Sequence, residues 1–405
     1  MHDGGSRETE LDAKVAALTA RRAPGYTLQQ EFYRDPDIFR RDVERLLMRH
    51  WLCAGHEASL PRSGDFELFE IAGESAILVR GEDGTLRALV NVCRHRGSRV
   101  CWEQGGQAKS FTCPYHGWTY GLDGNLKAAR FMPAEFDRGG YGLRRIHLRV
   151  IEGLIFVSFA DRPLGTRHLE ETLRGSFGPY DWATARVAHR ERYSFAANWK
   201  LAVENYLECY HCGPAHPEYS RLHALEQPRP RIEKLIQKLA ARSAELGIDI
   251  PAHDHWVAST TGEEACRSFR YPLYDGVESA TEDGKAVAPL MGLKDYDGGV
   301  TSVHIGPTSF LVAYADHGVI YRFIPRTADA CDMEVIWLVR GDAEAGRDYD
   351  LEKLTWLWKV TSEADKRIIE HNQLGVNSRF YRPGPYAPME YNTTAYVDWY
   401  LREIA

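Results

Sequence analysis

Nowhere does the chain hold an apolar run near the roughly 20 residues that a helix needs to cross a bilayer, so no membrane partner is expected. The opening segment, MHDGGSRETELDAKVAALTARRAPGY, is charged and lacks the apolar core of a secretory signal, which predicts a cytoplasmic protein. Long single-sign charge runs are missing too. Fifty basic against 57 acidic residues give a formal charge of −7. That balance argues against nucleic acid as the main partner, because phosphate neutralisation favours a basic face; it mildly favours a neutral or cationic ligand. Cysteine is sparse: eight residues, at 53, 93, 101, 113, 209, 212, 266 and 331, are too few for a disulfide scaffold in a chain this long. Repeats and low-complexity tracts are absent. What remains is a globular composition, 44% hydrophobic and 26% charged, in 405 residues that suffice for two or three domains.

Hydrophobic periodicity divides the chain. Residues 1–44 read as a helical segment that packs on the last domain, and 27–56 as a helix leading to a strand, with Phe39, Val43, Leu46 and Leu47 at helical spacing before Trp51. Residues 45–160 consist of short runs such as DFELFEIAG, SAILVRG, LRALVNVC and GLIFVSFA separated by Gly, Asp or Asn turns, which predicts an all-β domain. The third part, 161–405, is mixed. A helix is predicted over Trp199 to about Cys212, then a polar region at about 217–300 long enough for a lid or binding insertion. Strands return at TSFLVAYA, GVIYRFIPR and MEVIWLVR, the first two joined as a hairpin through DHG. A helix stopped by Gly375 ends the pattern. The predicted class is α+β: an all-β domain followed by a domain with an antiparallel sheet flanked by helices.

Two constellations carry chemistry. The first is CRH at 93–95 with CPYHGW at 113–118, which sets Cys93 and His95 against Cys113 and His116 within the β-rich part. Two thiolates and two imidazoles suit a tetrahedral zinc or an iron-sulfur cluster. One Cys and one His from each loop fits a 2Fe-2S cluster with one iron held by two Cys and the other by two His.

The second is ENYLECYHCGPAH, 204–216. On a helix Glu204, Glu208 and His211 share one face, a pattern that equally fits a solvated polar stripe. His211 and His216 would point about 140° apart on a regular helix. Gly213-Pro214 predicts a break that lets both face one metal. Oxygen-activating iron takes two histidines and one carboxylate on one face. Asp365 is the carboxylate expected, because its neighbours Trp358, Ile368 and Ile369 place it in an apolar stripe where an unpaired charge is costly. An Arg or a backbone amide would also compensate it. Glu363 and Glu370 lie off the stripe. A zinc held by Cys209, His211, Cys212 and His216 has suitable residue types, although a helix spreads the two cysteines apart.

CRHRGS and CPYHGWTY resemble the two ligand loops of the Rieske iron-sulfur domain. With NWKLAVENYLECYHCGPAH and the C-terminal ADKRIIEHNQLGVNS, essentially the whole chain resembles the alpha (oxygenase) subunit of Rieske non-haem iron oxygenases. The resemblance implies a Rieske 2Fe-2S cluster on Cys93, His95, Cys113 and His116, and mononuclear Fe(II) on His211, His216 and Asp365. It places Asn205 close to that iron. The family usually has an aspartate three residues before the first iron histidine, bridging to the Rieske histidine of the next subunit; here Glu208 stands there, with His116 as the partner. Cys209 and Cys212 then read as packing thiols, and Glu204 as a helix-face residue.

The resemblance further implies a homotrimer in a head-to-tail ring. A flavin- or ferredoxin-type reductase would pass electrons from NAD(P)H, with O2 and a small molecule as substrates. The glutamate wording resembles the branch acting on quaternary ammonium compounds such as glycine betaine, carnitine and proline betaine, in which N-methyl hydroxylation releases formaldehyde. An aromatic-ring hydroxylase is the alternative, and a non-catalytic electron carrier a remoter one. Twenty-one Tyr and 10 Trp could build an aromatic cage, with Tyr206 as one candidate.

Overall fold

The computed structural model describes residues 3–225, 229–248 and 262–405. Strands β1 (Leu52–His56), β2 (Asp65–Ile71), β3 (Glu74–Arg80), β4 (Leu86–Val90) and β5 (Gly105–Gln107) precede the short β6 (Phe111–Thr112), β7 (Thr119–Tyr120) and β8 (Leu126–Ala128). With β9 (Arg145–Ile151) and β10 (Leu154–Ser158), the long strands form an antiparallel sheet ordered β1-β10-β9-β4-β3-β2-β5, and β6-β7-β8 form a second, small one. The later part is built on one antiparallel sheet: β11 (Arg186–Phe195), β12 (Cys266–Pro272), β13 (Gly299–Ile305), β14 (Ser309–Ala313), β15 (Gly318–Thr327) and β16 (Ala330–Val339), ordered β11-β16-β15-β14-β13-β12. The predicted hairpin is β14-β15, closed by the Tyr314 N–H donating to the His317 carbonyl at 2.9 Å. The class is α+β.

The inner strands of this larger sheet, β13–β16, are buried on both faces, which explains why β14–β16 read as nearly continuous apolar runs. Side chains alternate with the pleat: Val319, Tyr321 and Phe323 enter one core, Ile320 the other. The second core is filled by α3 (Arg167–Phe177) together with Trp51 and Phe156. The first contains α1 (Asp3–Arg21) and α2 (Pro36–Asp42) through Leu11, Val15, Leu18 and Ile38, and also α4 (Trp199–Tyr206). Two further helices close it, α8 (Leu351–Val376) and α9 (Tyr391–Ile404). No helix among the described residues is long and apolar enough to cross a membrane.

Several expectations change. The segment after Trp199 is not one helix to Cys212: α4 stops at Tyr206, and α5 (Cys212–Ala215) and α6 (Pro217–Ser220) are separate turns. Gly213 and Pro214 therefore lie inside α5 rather than forming the break, which comes earlier, at 207–211, and again at His216. Gly375 does not cap α8, which runs to Val376 with Asn377 as its cap. Helix α9 was not anticipated, because a polar stretch without clear periodicity precedes it. The polar region at 217–300 holds α6, α7 (Arg229–Leu246) and the edge strand β12; its residues 226–228 and 249–261 lie outside the described residues.

The N-terminal segment locks α4 in place. Asn198 caps α4 by accepting from the Lys200 N–H at 3.0 Å, and Trp199 is fully buried. The Lys200 ammonium meets the Asp42 carboxylate of α2, with both side chains essentially unexposed. Tyr400 of α9 donates to the same carboxylate at 2.7 Å, and the Trp199 indole at 3.3 Å. Removing one partner of such a pair strands a buried charge, so Lys200→Met is expected to cost ~3–5 kcal/mol in urea unfolding. The double variant with Asp42→Asn should recover much of it. Full additivity of the two losses would contradict the pairing.

Candidate metal centres

The two loops of the all-β part are built on one turn. The Cys93 N–H donates to the Ser98 carbonyl at 2.8 Å and the Gly97 N–H returns to Cys93 at 2.9 Å; Cys113 with Trp118, and Gly117 with Cys113, repeat this at 2.8 and 3.0 Å. Gly97 and Gly117 have φ of +78° and +72°, a left-handed conformation that favours glycine. The turns bring the imidazole Nδ1 atoms of His95 and His116 within 3.1 Å. Cys93 and Cys113 are buried, whereas both histidines are exposed. Burial raises the Cys93 thiol, and Cys113 nearby adds to this. The Tyr120 hydroxyl sits 3.2 Å from the Cys93 sulfur. A thiol pair inside and an imidazole pair outside is the donor set of a 2Fe-2S cluster with unlike irons, so these residues fit that group.

In the second part Asp365, nine-tenths buried on α8, faces the turn that follows α4. Its Oδ1 lies 2.8 Å from His216 Nε2 and 3.4 Å from His211 Nε2. Two ligands bonded at about 2.1 Å and at right angles lie about 3 Å apart. His211, His216 and Asp365 are the one such group of three among the described residues. Asn205 Nδ2 lies 3.4 Å from His211 Nε2. Glu208 shapes the turn: Oε1 pairs with His211 Nδ1 at 2.6 Å, and Oε2 accepts the N–H groups of Tyr210 and, at 3.2 Å, His211. Burial would lower the His211 pKa, but hydrogen bonds to Asp365 and Glu208 raise it to about 9. Asp365 is likewise pushed up by burial, and the two imidazoles bring it below its ordinary value.

The zinc alternative on this stretch does not stand. Cys209 and Cys212, expected as packing thiols, are joined to each other in a disulfide; the other six cysteines are free and buried. Glu204 faces away from the centre, its carboxylate accepting from Tyr33 at 3.0 Å and Tyr386 at 3.0 Å, and burial raises it to about 7.

A cavity of about 540 Å³ opens over His211, His216 and Asp365. Its wall is a closed belt of rings. Tyr206 meets Tyr321 at 5.5 Å between centroids, Tyr321 meets Trp358 at 5.4 Å, and Trp358 meets Tyr219 at 5.9 Å. The Tyr219 and Tyr271 hydroxyls are 3.0 Å apart; Tyr271, Phe269, His304, Phe310 and Tyr206 complete the circuit at 5.8, 5.2, 4.4 and 6.2 Å. Of these only Tyr206 was singled out from sequence. The others come from β12–β15, α6 and α8, and their one local signal is strand alternation, as at Phe269 and Tyr271.

A domain with Rieske-type ligand loops, joined to one that gathers two histidines and an aspartate under a cavity, defines a two-centre oxidoreductase. Residues 50–145 match the Rieske [2Fe-2S] domain, and 182–405 the family described as ring hydroxylating alpha subunit (catalytic domain). The chain belongs to this family of Rieske non-haem iron oxygenases, and its cofactors are a 2Fe-2S cluster and mononuclear iron. It is 37% identical, over 95% of its length and 91% of the relative, to the glycine betaine monooxygenase oxygenase subunit of Pseudomonas aeruginosa (strain UCBPP-PA14). It is 39% identical to the carnitine monooxygenase oxygenase subunit of Escherichia coli (strain K12), over 48% of this chain and 53% of that one. The fold is that of a solved quaternary ammonium Rieske monooxygenase studied for carnitine oxidation and inter-subunit electron transfer: TM-score 0.73, 21% identity, covering 96% of this chain and 98% of that one.

His211, with its pKa raised to about 9, carries a proton at neutral pH, which it would have to lose to serve as a metal ligand through Nε2. Fe(II) affinity is therefore expected to rise about tenfold per pH unit below that value, with about one proton released from His211 in calorimetry. An affinity flat between about pH 6.5 and 8.5 would contradict this.

Proposed function

We propose that the chain hydroxylates an N-methyl carbon of a quaternary ammonium compound in the cytoplasm. The aromatic belt above His211, His216 and Asp365 carries the reading, because among the described residues Glu208 and Asp365 are the only acidic side chains in the cavity wall. A trimethylammonium group offers no hydrogen bond and is attracted to ring faces. Such a wall holds it while one methyl is directed at the three ligands. The 37% identity over nearly the whole chain to a glycine betaine monooxygenase oxygenase subunit supports the same substrate class.

On this reading His211, His216 and Asp365 hold the iron, and Cys93, His95, Cys113 and His116 the cluster. Bound there, the iron supplies oxygen activation for attack on a C–H bond, and the cluster supplies single electrons. The N-methyl cation, O2, two electrons and two protons become an N-hydroxymethyl cation and water; loss of formaldehyde then leaves the protonated tertiary amine. A separate flavin- or ferredoxin-type reductase drawing on NAD(P)H provides the electrons. Asn205 steadies His211 from the cavity side. Glu208 fixes the His211 ring through Nδ1 and bridges to His116 of the partner subunit in a head-to-tail homotrimer. Exposed Trp102, Tyr115 and Phe131 on the same domain as His116, and exposed Tyr210 beside Glu208, are the apolar surface such a contact would cover.

Formaldehyde release from betaines, compared with ring hydroxylation of aromatic acids, is the deciding assay; no formaldehyde from any N-methyl compound sinks the reading. Asp365→Ala is expected to abolish turnover while the cluster's visible absorbance stays, and unchanged turnover would remove Asp365 from the iron site. Glu208→Gln is expected to keep both metals yet slow reoxidation of the reduced cluster by roughly 10–100-fold. A normal rate would end its bridging role.

A further inference from the structure

We propose that Tyr321 and Trp358 form a carboxylate-binding subsite in the cavity wall, so that the substrate is a zwitterion held at both ends; this rests on the N-methyl reading above. Both residues line the cavity, edge to face with centroids 5.4 Å apart. The Tyr321 hydroxyl and the Trp358 indole N–H are buried without a hydrogen-bond partner among the described residues. Buried donors are rarely left unpaired, and two adjacent ones in the wall of a binding cavity point to a missing acceptor. The indole N–H can only donate. Burial, with Tyr206 and Tyr314 nearby, holds the Tyr321 hydroxyl well above its ordinary pKa, so it too keeps its proton to donate. The missing group is therefore an acceptor and not a second cation.

Several surrounding polar groups are already engaged, while Asn205 Oδ1, His216 Nδ1 and Arg270 Nε in the same wall are, like the two donors, buried without a partner among the described residues. Tyr219 and Tyr271 share a hydrogen bond at 3.0 Å, and Tyr314 meets His223 Nε2 at 2.8 Å. Arg270 pairs with Asp297 at 2.6 Å. Position also fits. Trp358 lies seven residues before Asp365 on α8, hence on the same face and about 10 Å along the axis. With bond lengths like those of the backbone, a betaine with one methylene spans about 5 Å from methyl carbon to carboxylate oxygen, and a hydrogen bond adds about 3 Å. The Tyr206 and Tyr219 rings, next to Tyr321 and Trp358 in the belt, flank the space left for the ammonium.

Calorimetric binding of glycine betaine and of its carboxamide, a cation that keeps the trimethylammonium group but lacks the carboxylate, to the holoenzyme, wild type against Tyr321→Phe and Trp358→Phe, tests this. Each variant should weaken betaine binding by about tenfold or more, relative to any change for the carboxamide. Equal losses for both ligands would mean a wall role only, and no loss would mean that the donors serve a buried water; either overturns the subsite. Arg267→Gln is the control, since Arg267 donates to the Tyr391 hydroxyl at the cavity edge. A carboxylate-selective loss in that variant alone places the anion there instead and overturns the assignment. If wild type demethylates N-methyl cations but does not prefer betaine to the carboxamide, only the subsite fails. If it neither binds nor demethylates any N-methyl compound, the underlying function fails with it.

Discussion

One buried carboxylate, Asp365, governs the architecture of the later domain. Left alone in an apolar stripe it would be strongly destabilising. It is stable there because His216 and His211 come to it from a turn roughly 150 residues earlier in sequence. That meeting requires α8 to lie along α4, α4 to end at Tyr206, and α4 to be held against the sheet. The last requirement is met from far away, by Asp42 on α2 and Tyr400 on α9 acting on Lys200 and Trp199. The N-terminal segment is thus part of the support for a centre it never touches.

The two centres solve opposite problems. In the first, soft donors are sheltered and imidazoles exposed, which suits a group that exchanges electrons with another molecule. In the second, the three candidate ligands face inward and the space above them is walled by rings, which suits a reaction needing a positioned organic molecule and little water.

Much of this is legible in sequence, for reasons that differ by element. The Rieske-type loops are readable because each ligand pair lies within four residues and each turn carries its own glycine. Asp365 is readable because polarity inside a helical apolar stripe is a local anomaly. The end of α4 is not: Trp199, Val203, Tyr206 and Tyr210 keep helical spacing beyond the true terminus. Periodicity cannot register that the Glu208 carboxylate captures the N–H groups of Tyr210 and His211 and so competes with the helix. The Gly-Pro step suggests a break it does not make, because proline is tolerated within the first turn of a helix such as α5. The ring belt is the least legible feature. Its members are drawn from seven separate elements, and only long-range packing decides which of many aromatic residues converge.

Glu208 has a limited acceptor capacity. A carboxylate offers about four acceptor positions. Three are spent within the chain, on His211 Nδ1 and on the N–H groups of Tyr210 and His211. One remains. If this residue joins two subunits as proposed, the junction is one hydrogen bond wide, with no spare route beside it. The extra methylene that distinguishes glutamate from aspartate then acts as reach: the carboxylate can hold its own turn and still extend that last position outward.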